Sequence, residues 1–275
     1  AYRLAREIFL SKPNTLLYKF AVVDEAQDMG PEAFRLIRAL IPEAEDRLDT
    51  NSLFIVGDGH QRIYGKRVVL GRCGINIRGR SRKLRVNYRT SEEIRRWAVS
   101  ILEGVHVDDL DDGLDDERGY RSLFHGPSPD VLNASDQANE FRKLETWIKD
   151  LEGEGFAEKD ICVIARDKRI LKLFENHRSA KGLASVEIKR HQAEDRRKQG
   201  IRLATMHRAK GLEFMAVALV AMNDGIVPNV LALRAAPDEA GREEVFDAER
   251  MLVYVAATRA KKRLIVSSSG KPSEI

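Results

Sequence analysis

The sequence has 275 residues and a formal net charge of +4, and 43% of its residues are hydrophobic and 33% are charged. This length fits one large or two ordinary domains, and the composition allows a sizeable core. No run approaches the roughly 18 apolar residues of a membrane helix, and the first residues lack the pattern of a signal peptide. Cys73 and Cys162 lack metal-like spacing, so reduced thiols and a cytoplasmic protein are expected.

Charged residues are unevenly distributed along the chain. The stretch Arg62–Ser91 contains ten basic residues and no acidic residue, whereas Asp108–Glu117 contains seven acidic residues and no basic residue. The basic stretch is either an ordinary solvated surface or a surface that faces the phosphate groups of a nucleic acid. The acidic stretch is expected to form a surface loop without a metal site.

Short apolar runs alternate along the chain with stretches of helical period. In chain order, the predicted elements are a strand at 20–24, a helix at 31–41, a strand at 53–57, a helix at 91–103, a strand at 130–133, a helix at 135–152, a strand at 161–165, a helix at 167–178, strands at 184–188, 201–205 and 215–221, a helix at 240–258 and a strand at 262–267. Ser91 and Ser135 are predicted to cap their helices. The alternation indicates an α/β fold with a mainly parallel sheet covered by helices on both faces.

A domain boundary is predicted near residues 90–95, because the strands before it and after it would belong to different sheets. The first group is too short for a complete α/β domain. We therefore expect residues 1–92 to be the end of a domain that begins upstream of Ala1, and residues 93–275 to be a second domain.

Two motifs follow predicted strands in the first group. Asp24–Asp28 places two adjacent acids at the carboxyl edge of a sheet, where one carboxylate can hold Mg²⁺ and the other can orient water. In Gly57–Gly65, Gln61 can bond a phosphate oxygen or position water, and Tyr64 can stack on a base. The alternatives are a polar turn that caps a helix and a glycine-rich turn with a core tyrosine.

Two arginines in short motifs are candidate phosphate ligands, because the guanidinium fork is planar and always charged. Arg89 belongs to the block Asn87–Thr90, and Arg259 belongs to Tyr254–Ala260. The alternatives are an ordinary surface residue for Arg89 and a cation that stabilises a helix C-terminus for Arg259.

The segment Thr205–Phe214 lies between two predicted strands and combines a hydroxyl, an imidazole, an ammonium and a carboxylate group. We expect these groups to lie together at one edge of the sheet. A structural, hydrogen-bonding role is the alternative for His207.

In this order, the five motifs resemble those of UvrD/Rep-like superfamily 1 DNA helicases, over roughly residues 18–268. The resemblance implies two RecA-like domains of the P-loop NTPase type, with ATP and Mg²⁺ as cofactors and single-stranded DNA or DNA junctions as partners. By the same resemblance, Asp24 would hold Mg²⁺, Glu25 would activate the hydrolytic water and Gln61 would sense the γ-phosphate. Tyr88 would stack on the adenine, and Glu213 would contact the ribose.

The resemblance further implies that Arg89 and Arg259 act as arginine fingers, which supply charge to the transition state of phosphoryl transfer. The residues implied to lie near the single strand, or to couple it to the nucleotide, are Tyr64, Lys66, Arg67, Thr205 and His207.

The sequence departs from the family pattern in three respects. Lys66 stands where the family usually has a tryptophan, so a base-stacking contact worth about 1–3 kcal/mol is lost. The stretch between Thr90 and Ile201 is too short for the large accessory insertion of many relatives. Neither Gly65-Lys66 nor Gly270-Lys271 fits the phosphate-binding loop Gly-x-x-x-x-Gly-Lys-Ser/Thr, so we expect a truncated or proteolysed chain that needs a missing N-terminal motor segment.

The leading hypothesis is therefore a fragment of an ATP-dependent 3′–5′ DNA helicase or translocase of DNA repair or recombination, inactive by itself. One alternative is a non-catalytic nucleic-acid or protein-binding module derived from the helicase fold. Another is a helicase–nuclease subunit with its nuclease beyond Ile275, and RNA in place of DNA remains open.

Overall fold

The computed structural model describes residues 1–11, 18–41, 51–63, 68–105, 107, 113, 119–189, 195 and 197–275. The chain divides into two units. The first comprises Ala1–Leu84 and His106–Arg118, and the second comprises Arg85–Val105 and Gly119–Ile275. Whether these units represent the domains expected at 1–92 and 93–275 stays a prediction.

The first unit contains α1 (Tyr2–Leu10), β1 (Ala21–Val23), α2 (Pro31–Leu40) and β2 (Leu53–Ile55). The two strands pair in parallel, with Val22 opposite Phe54. Pro31 occupies the first turn of α2, where a missing N–H costs no hydrogen bond. Phe34, one turn further, is fully buried against Val23 and Leu70. α1 has no counterpart among the elements predicted from the sequence, and none of its residues is buried.

The second unit contains β3 (Val86–Asn87), α3 (Glu92–Ile101), β4 (Arg121–Ser122), β5 (Asp130–Ala134), α4 (Gln137–Gly153), β6 (Ile161–Ala165), α5 (Lys168–Ser179), β7 (Ser185–Glu187), β8 (Ile201–Thr205), α6 (Met206–Ala209), β9 (Phe214–Val220), α7 (Val230–Ala235), α8 (Glu239–Ala257) and β10 (Ala260–Ser269). β5 to β10 form a six-stranded parallel sheet in the order β5-β10-β9-β6-β8-β7. β3 and β4 form a separate parallel pair.

The central strand β6 shows that both faces of this sheet are covered. Successive side chains of a strand point to opposite faces, yet all five residues of β6 are fully buried. Phe141 of α4 and Phe174 of α5 pack edge to face, with ring centroids 5.0 Å apart, over one side of the sheet. The predicted α/β fold with a parallel sheet flanked by helices is confirmed.

The predicted cap of α4 was wrong by one residue. Asp136 is the N-cap, and its Oδ1 accepts the Asn139 N–H at 2.8 Å, whereas the Ser135 hydroxyl donates to Asp136. A carboxylate is the better acceptor beside the positive end of a helix. Ser91 is at the N-cap of α3, as predicted, but its side chain makes no capping hydrogen bond.

The second unit begins at Arg85, because the residues that follow form the parallel pair of β3 and β4. Val86 lies opposite Arg121 in the β3–β4 pair, and the Arg121 N–H donates to the carbonyl of Arg85 at 3.0 Å. Cys73 and Cys162 are both buried thiols outside any disulfide. Among the described residues, no helix has the length and apolarity needed to cross a membrane.

Candidate functional site

The acidic motif of the first unit is a tight turn at the end of β1. Glu25 adopts a left-handed backbone conformation with φ 52°, and its N–H donates to the Asp24 side chain at 2.8 Å. The Ala26 N–H then donates to the Val56 carbonyl at 3.0 Å. The turn is therefore held against the end of β2, and Asp24 and Glu25 both remain exposed.

Gln27 connects this turn to the second motif of the first unit. Its side chain is almost completely buried, its amide nitrogen donates to Glu25 Oε2 at 2.5 Å, and its amide oxygen accepts the Asp58 N–H at 3.0 Å. No role of Gln27 is predicted from the sequence, because only the long-range contact with Asp58 reveals one. The carboxylate of Glu25 is thus oriented by a buried amide.

Asp58 organises the second motif. Its carboxylate accepts hydrogen bonds from the His60 N–H at 3.0 Å and from the Gln61 side-chain amide at 2.8 Å. Burial acts to raise the pKa of Asp58, but the bonds from His60 and Gln61 outweigh it and hold the pKa below its ordinary value. Glu25 and Gln61, the two catalytic candidates of this unit, are therefore joined through Gln27 and Asp58.

The close approach of the two motifs requires a glycine at position 57. A Cβ atom there would lie 3.0 Å from the amide oxygen of Gln27 and 3.1 Å from the Cβ of Ala26. Tyr64, Lys66 and Arg67, the predicted strand-contacting residues of this motif, lie outside the described residues.

In the second unit, Arg89 lies in a turn organised by Asn87. The Asn87 side-chain oxygen accepts the N–H groups of Arg89 at 2.8 Å and Thr90 at 3.2 Å. Tyr88 is 74% exposed. The guanidinium of Arg89 pairs with Glu213, with 3.1 Å between Nε and Oε2.

Glu213 lies between two cations, because Lys261 also donates to its Oε1. The hydrogen bond from Lys261 lowers the pKa of Glu213, and the nearby charge of Arg89 lowers it further. Partial burial acts in the opposite direction but is outweighed. The carboxylate is therefore ionised at neutral pH. Lys261 was not singled out from the sequence.

Arg259 is fully buried, and its guanidinium is directed at the protein backbone. Nε donates to the Val255 carbonyl at 2.9 Å, Nη1 donates to Leu212 at 3.3 Å and Nη2 donates to the Thr258 hydroxyl at 3.2 Å. In this conformation Arg259 satisfies one carbonyl at the C-terminal end of α8, that of Val255, and one carbonyl just before β9, that of Leu212. The Phe214 N–H donates to the Arg259 carbonyl, which brings this motif beside Glu213.

The expectation that the Thr205–Phe214 motif lies at one edge of the sheet was wrong. Thr205 is level with Ala165, which is level with Val220 at the end of β9, whereas Phe214 begins β9. At about 3.3 Å per residue, the two ends of the motif are therefore separated by about 20 Å along the strands. Thr205 and His207 lie at the carboxyl edge, and Glu213 lies at the opposite edge. The chain that joins two parallel strands must return from the end of one strand to the opposite edge, where the next strand begins.

His207 lies in a charged environment at the carboxyl edge. Arg166 follows β6 and forms a bidentate pair with Glu249 of α8, at 2.8 Å for Nε–Oε2 and 2.6 Å for Nη2–Oε1. Burial and the positive charge of Arg166 lower the pKa of His207, with Glu249 acting in the opposite direction. His207 is therefore mainly neutral at pH 7, and a neutral ring can exchange hydrogen bonds with a ligand.

Of the basic residues of this stretch that the structure describes in the first unit, Arg62 is half-buried, and the exposed ones are Arg72, Arg78, Arg80, Arg82 and Lys83. The acidic stretch at 108–117 lies outside the described residues apart from Gly113. Within the described residues, no group of three or more His, Cys, Asp or Glu side chains could hold a metal ion.

The fold and these motifs together define a helicase-type α/β protein. Residues 181–271 match the family model of the UvrD-like helicase C-terminal domain, and residues 12–68 match that of the UvrD/REP helicase N-terminal domain. The chain belongs to the UvrD/Rep family of helicases.

Relatives in this family are similar over limited segments. The putative ATP-dependent DNA helicase YjcD of Bacillus subtilis is 36% identical over 132 residues, which are 48% of this chain and 15% of YjcD. DNA helicase II of Escherichia coli is 35% identical over 127 residues, which are 46% of this chain and 16% of that protein. The C-terminal domain of a possible DNA helicase from Lactobacillus plantarum is 17% identical with a TM-score of 0.47, and the alignment covers 68% of this chain and 91% of that domain. The chain thus corresponds to less than a quarter of the curated relatives named here.

Proposed function

We propose that this chain is part of an ATP-dependent DNA helicase or translocase that moves 3′ to 5′ on single-stranded DNA during repair or recombination. The observation that carries the proposal is the grouping of three distant motifs at one edge of the second unit's sheet. Arg89, Glu213 and Arg259 gather there, while Thr205 and His207 lie at the opposite edge. Separate edges suit separate ligands, with the nucleotide at one and the nucleic acid at the other.

Within this proposal, the first unit supplies the hydrolytic groups. Glu25 orients the attacking water, because Gln27 holds its carboxylate in place, and Gln61 contacts the γ-phosphate while Asp58 holds its amide. Asp24 is the Mg²⁺ ligand. The exposed Asp24 carboxylate at the end of β1 suits Mg²⁺, which keeps several waters and takes further oxygens from the substrate phosphates. Bound Mg²⁺ would neutralise phosphate charge.

The second unit supplies nucleotide recognition in the same proposal. Tyr88 stacks on the adenine, Glu213 accepts hydrogen bonds from ribose hydroxyls, and Arg89 contributes charge to the phosphates. Arg259 takes a similar role once its guanidinium leaves the backbone carbonyls that it now contacts.

Single-stranded DNA is the proposed nucleic-acid partner. Thr205 and His207 at the carboxyl edge supply polar contacts, and the exposed basic residues of the first unit supply phosphate attraction. Tyr64, Lys66 and Arg67 belong to the same proposal on the strength of the sequence resemblance.

We expect these 275 residues to hydrolyse ATP negligibly, because they contain no Gly-x-x-x-x-Gly-Lys-Ser/Thr loop to hold the β- and γ-phosphates. The test is steady-state ATPase activity with and without single-stranded DNA, for this chain and for the complete gene product. DNA-stimulated hydrolysis by the complete product that is lost in its Glu25→Gln variant supports the helicase proposal. Hydrolysis by this chain alone contradicts its expected inactivity, and an inactive complete product that still binds DNA favours the binding-module alternative.

A further inference from the structure

Glu213 is held by two cations that come from different elements and contact different oxygens. Arg89, from the turn after β3, contacts Oε2, whereas Lys261, the second residue of β10, contacts Oε1. The side chains of Lys261, Arg89 and Glu213 are 32%, 44% and 45% exposed, so a ligand can reach the group. Because each oxygen has its own cation, Arg89 can leave without depriving Glu213 of every partner.

An irregularity in β10 places Lys261 at this position. Ala260 lies opposite Phe214, but Arg263 lies opposite Ala216, so β10 contains one residue more than β9 in this interval. Such a bulge redirects side chains and releases backbone groups from the ladder. The carbonyl of Lys261 accepts the Ser91 N–H at 3.1 Å, which anchors the segment that carries Arg89.

We propose that Lys261 is a positioning residue for the nucleotide: it holds the Glu213 carboxylate in place for the ribose hydroxyls while Arg89 moves from Glu213 to the phosphates. This inference rests on the proposed nucleotide role of Glu213. Lys261 therefore acts through Glu213, and its effect depends on whether the nucleotide has ribose hydroxyls.

A lysine that merely attracts phosphate would behave differently. Its removal would weaken the binding of ATP and of 2′,3′-dideoxyATP by the same factor, because both carry the same triphosphate. Removal of a lysine that positions Glu213 weakens the binding of ATP more than that of the dideoxynucleotide, because only ATP offers ribose hydroxyl groups to the carboxylate. The ratio of the two dissociation constants separates these roles.

The experiment measures the dissociation constants of Mg-ATP and Mg-2′,3′-dideoxyATP for this 275-residue chain by NMR titration. Removal of a partly exposed ion pair changes an equilibrium by about 2- to 5-fold. We expect Lys261→Met to weaken ATP binding by about that factor, with little change in the binding of the dideoxynucleotide. Lys261→Arg should retain most of the wild-type affinity for ATP. Lys262→Met is the matched control, because Lys262 is the exposed neighbour on the same strand.

A ¹³C titration of the Glu213 carboxyl group gives a second readout that does not need the nucleotide. Lys261→Met should raise the Glu213 pKa, and Lys262→Met should leave it unchanged. Suppose that the wild type binds ATP more tightly than the dideoxynucleotide and that Glu213→Gln abolishes this preference. If Lys261→Met then retains the preference, the inference is wrong and the nucleotide role of Glu213 stands. If the wild type binds both nucleotides equally well, both the ribose role of Glu213 and the inference are overturned. The same holds if the wild type prefers ATP and Glu213→Gln retains that preference.

Discussion

At the scale of single residues, the site depends on side chains that orient other side chains. Gln27 is the clearest case, because both ends of its buried amide are bonded to groups from the two motifs of the first unit. A buried amide in this position cannot be replaced by an apolar group without leaving partners unsatisfied.

We predict that Gln27→Leu weakens the association of the two motifs by about 1–3 kcal/mol, because the Asp58 N–H loses the Gln27 amide oxygen as its acceptor and Glu25 loses the hydrogen bond from the Gln27 amide nitrogen. The measurement is amide hydrogen exchange at Asp58, which should become faster by a corresponding factor. Gln199→Leu, at an exposed glutamine of the second unit, is the control. Unchanged exchange at Asp58 in Gln27→Leu would show that the amide does not hold the motifs together.

At the scale of elements, helices and strands are joined by charged side chains that reach across long sequence separations. Glu92 in the first turn of α3 bonds Arg95 at 2.7 Å and accepts the Ser122 N–H of β4 at 2.8 Å. The bond from Ser122 attaches α3 to β4, beside the turn that carries Arg89, and the Arg95 contact holds the Glu92 carboxylate from within α3.

The hydrogen bond from Arg95, together with those from Ser122 and Arg96, lowers the pKa of Glu92 from 4.5 to about 2 despite burial. A depressed folded-state pKa contributes stability that is present above the unfolded value of 4.5 and is lost as the pH falls toward about 2. We predict that Glu92→Gln removes about 2–3 kcal/mol of unfolding free energy at pH 7 and that the deficit shrinks below about pH 4.5. Denaturant unfolding from pH 7 to pH 3 checks this.

The control for that series is Glu152→Gln, at an exposed glutamate of α4. Its stability should follow that of the wild type at every pH. A deficit in Glu92→Gln that stayed constant from pH 7 to pH 3 would mean that ionisation of Glu92 is not its source.

At the scale of the whole molecule, charge distribution matters more than the small net charge of +4. Residues 72–82 contain four exposed arginines and no acidic residue. Such a concentration attracts the phosphates of nucleic acid through release of counterions, with an affinity that falls as salt rises.

We predict that replacing Arg78, Arg80 and Arg82 by glutamine lowers the affinity for single-stranded DNA. It should also reduce the slope of log K against log salt by up to about 0.7 for each phosphate that is no longer neutralised. A matched triple replacement of Lys149, Lys159 and Lys181, all exposed on the second unit, changes the net charge equally. Equal effects of both triple variants would indicate net charge alone, and tighter binding to RNA than to DNA would contradict the proposed substrate.

Local patterns in the sequence determined the fold class and the identity of the motifs. Apolar runs predicted β6 and β8 with their observed bounds, because buried central strands of a parallel sheet need uninterrupted apolar residues. Cap and turn residues predicted α2 within one residue, because Pro31 acts on its own turn. The five motifs could be recognised because each is a continuous segment with its own chemistry.

Only the tertiary structure decided which motif residues meet. The pairing of β9 with β10 brought Glu213 to Arg259 and Lys261, and the parallel connection from β8 to β9 carried Glu213 away from Thr205. Strand order, register and bulges arise from contacts between residues far apart in the chain, and a local periodicity contains no information about them. The contacts of Gln27 with Asp58 and of Lys261 with Glu213 are long-range in the same sense, which is why neither could be predicted from the sequence.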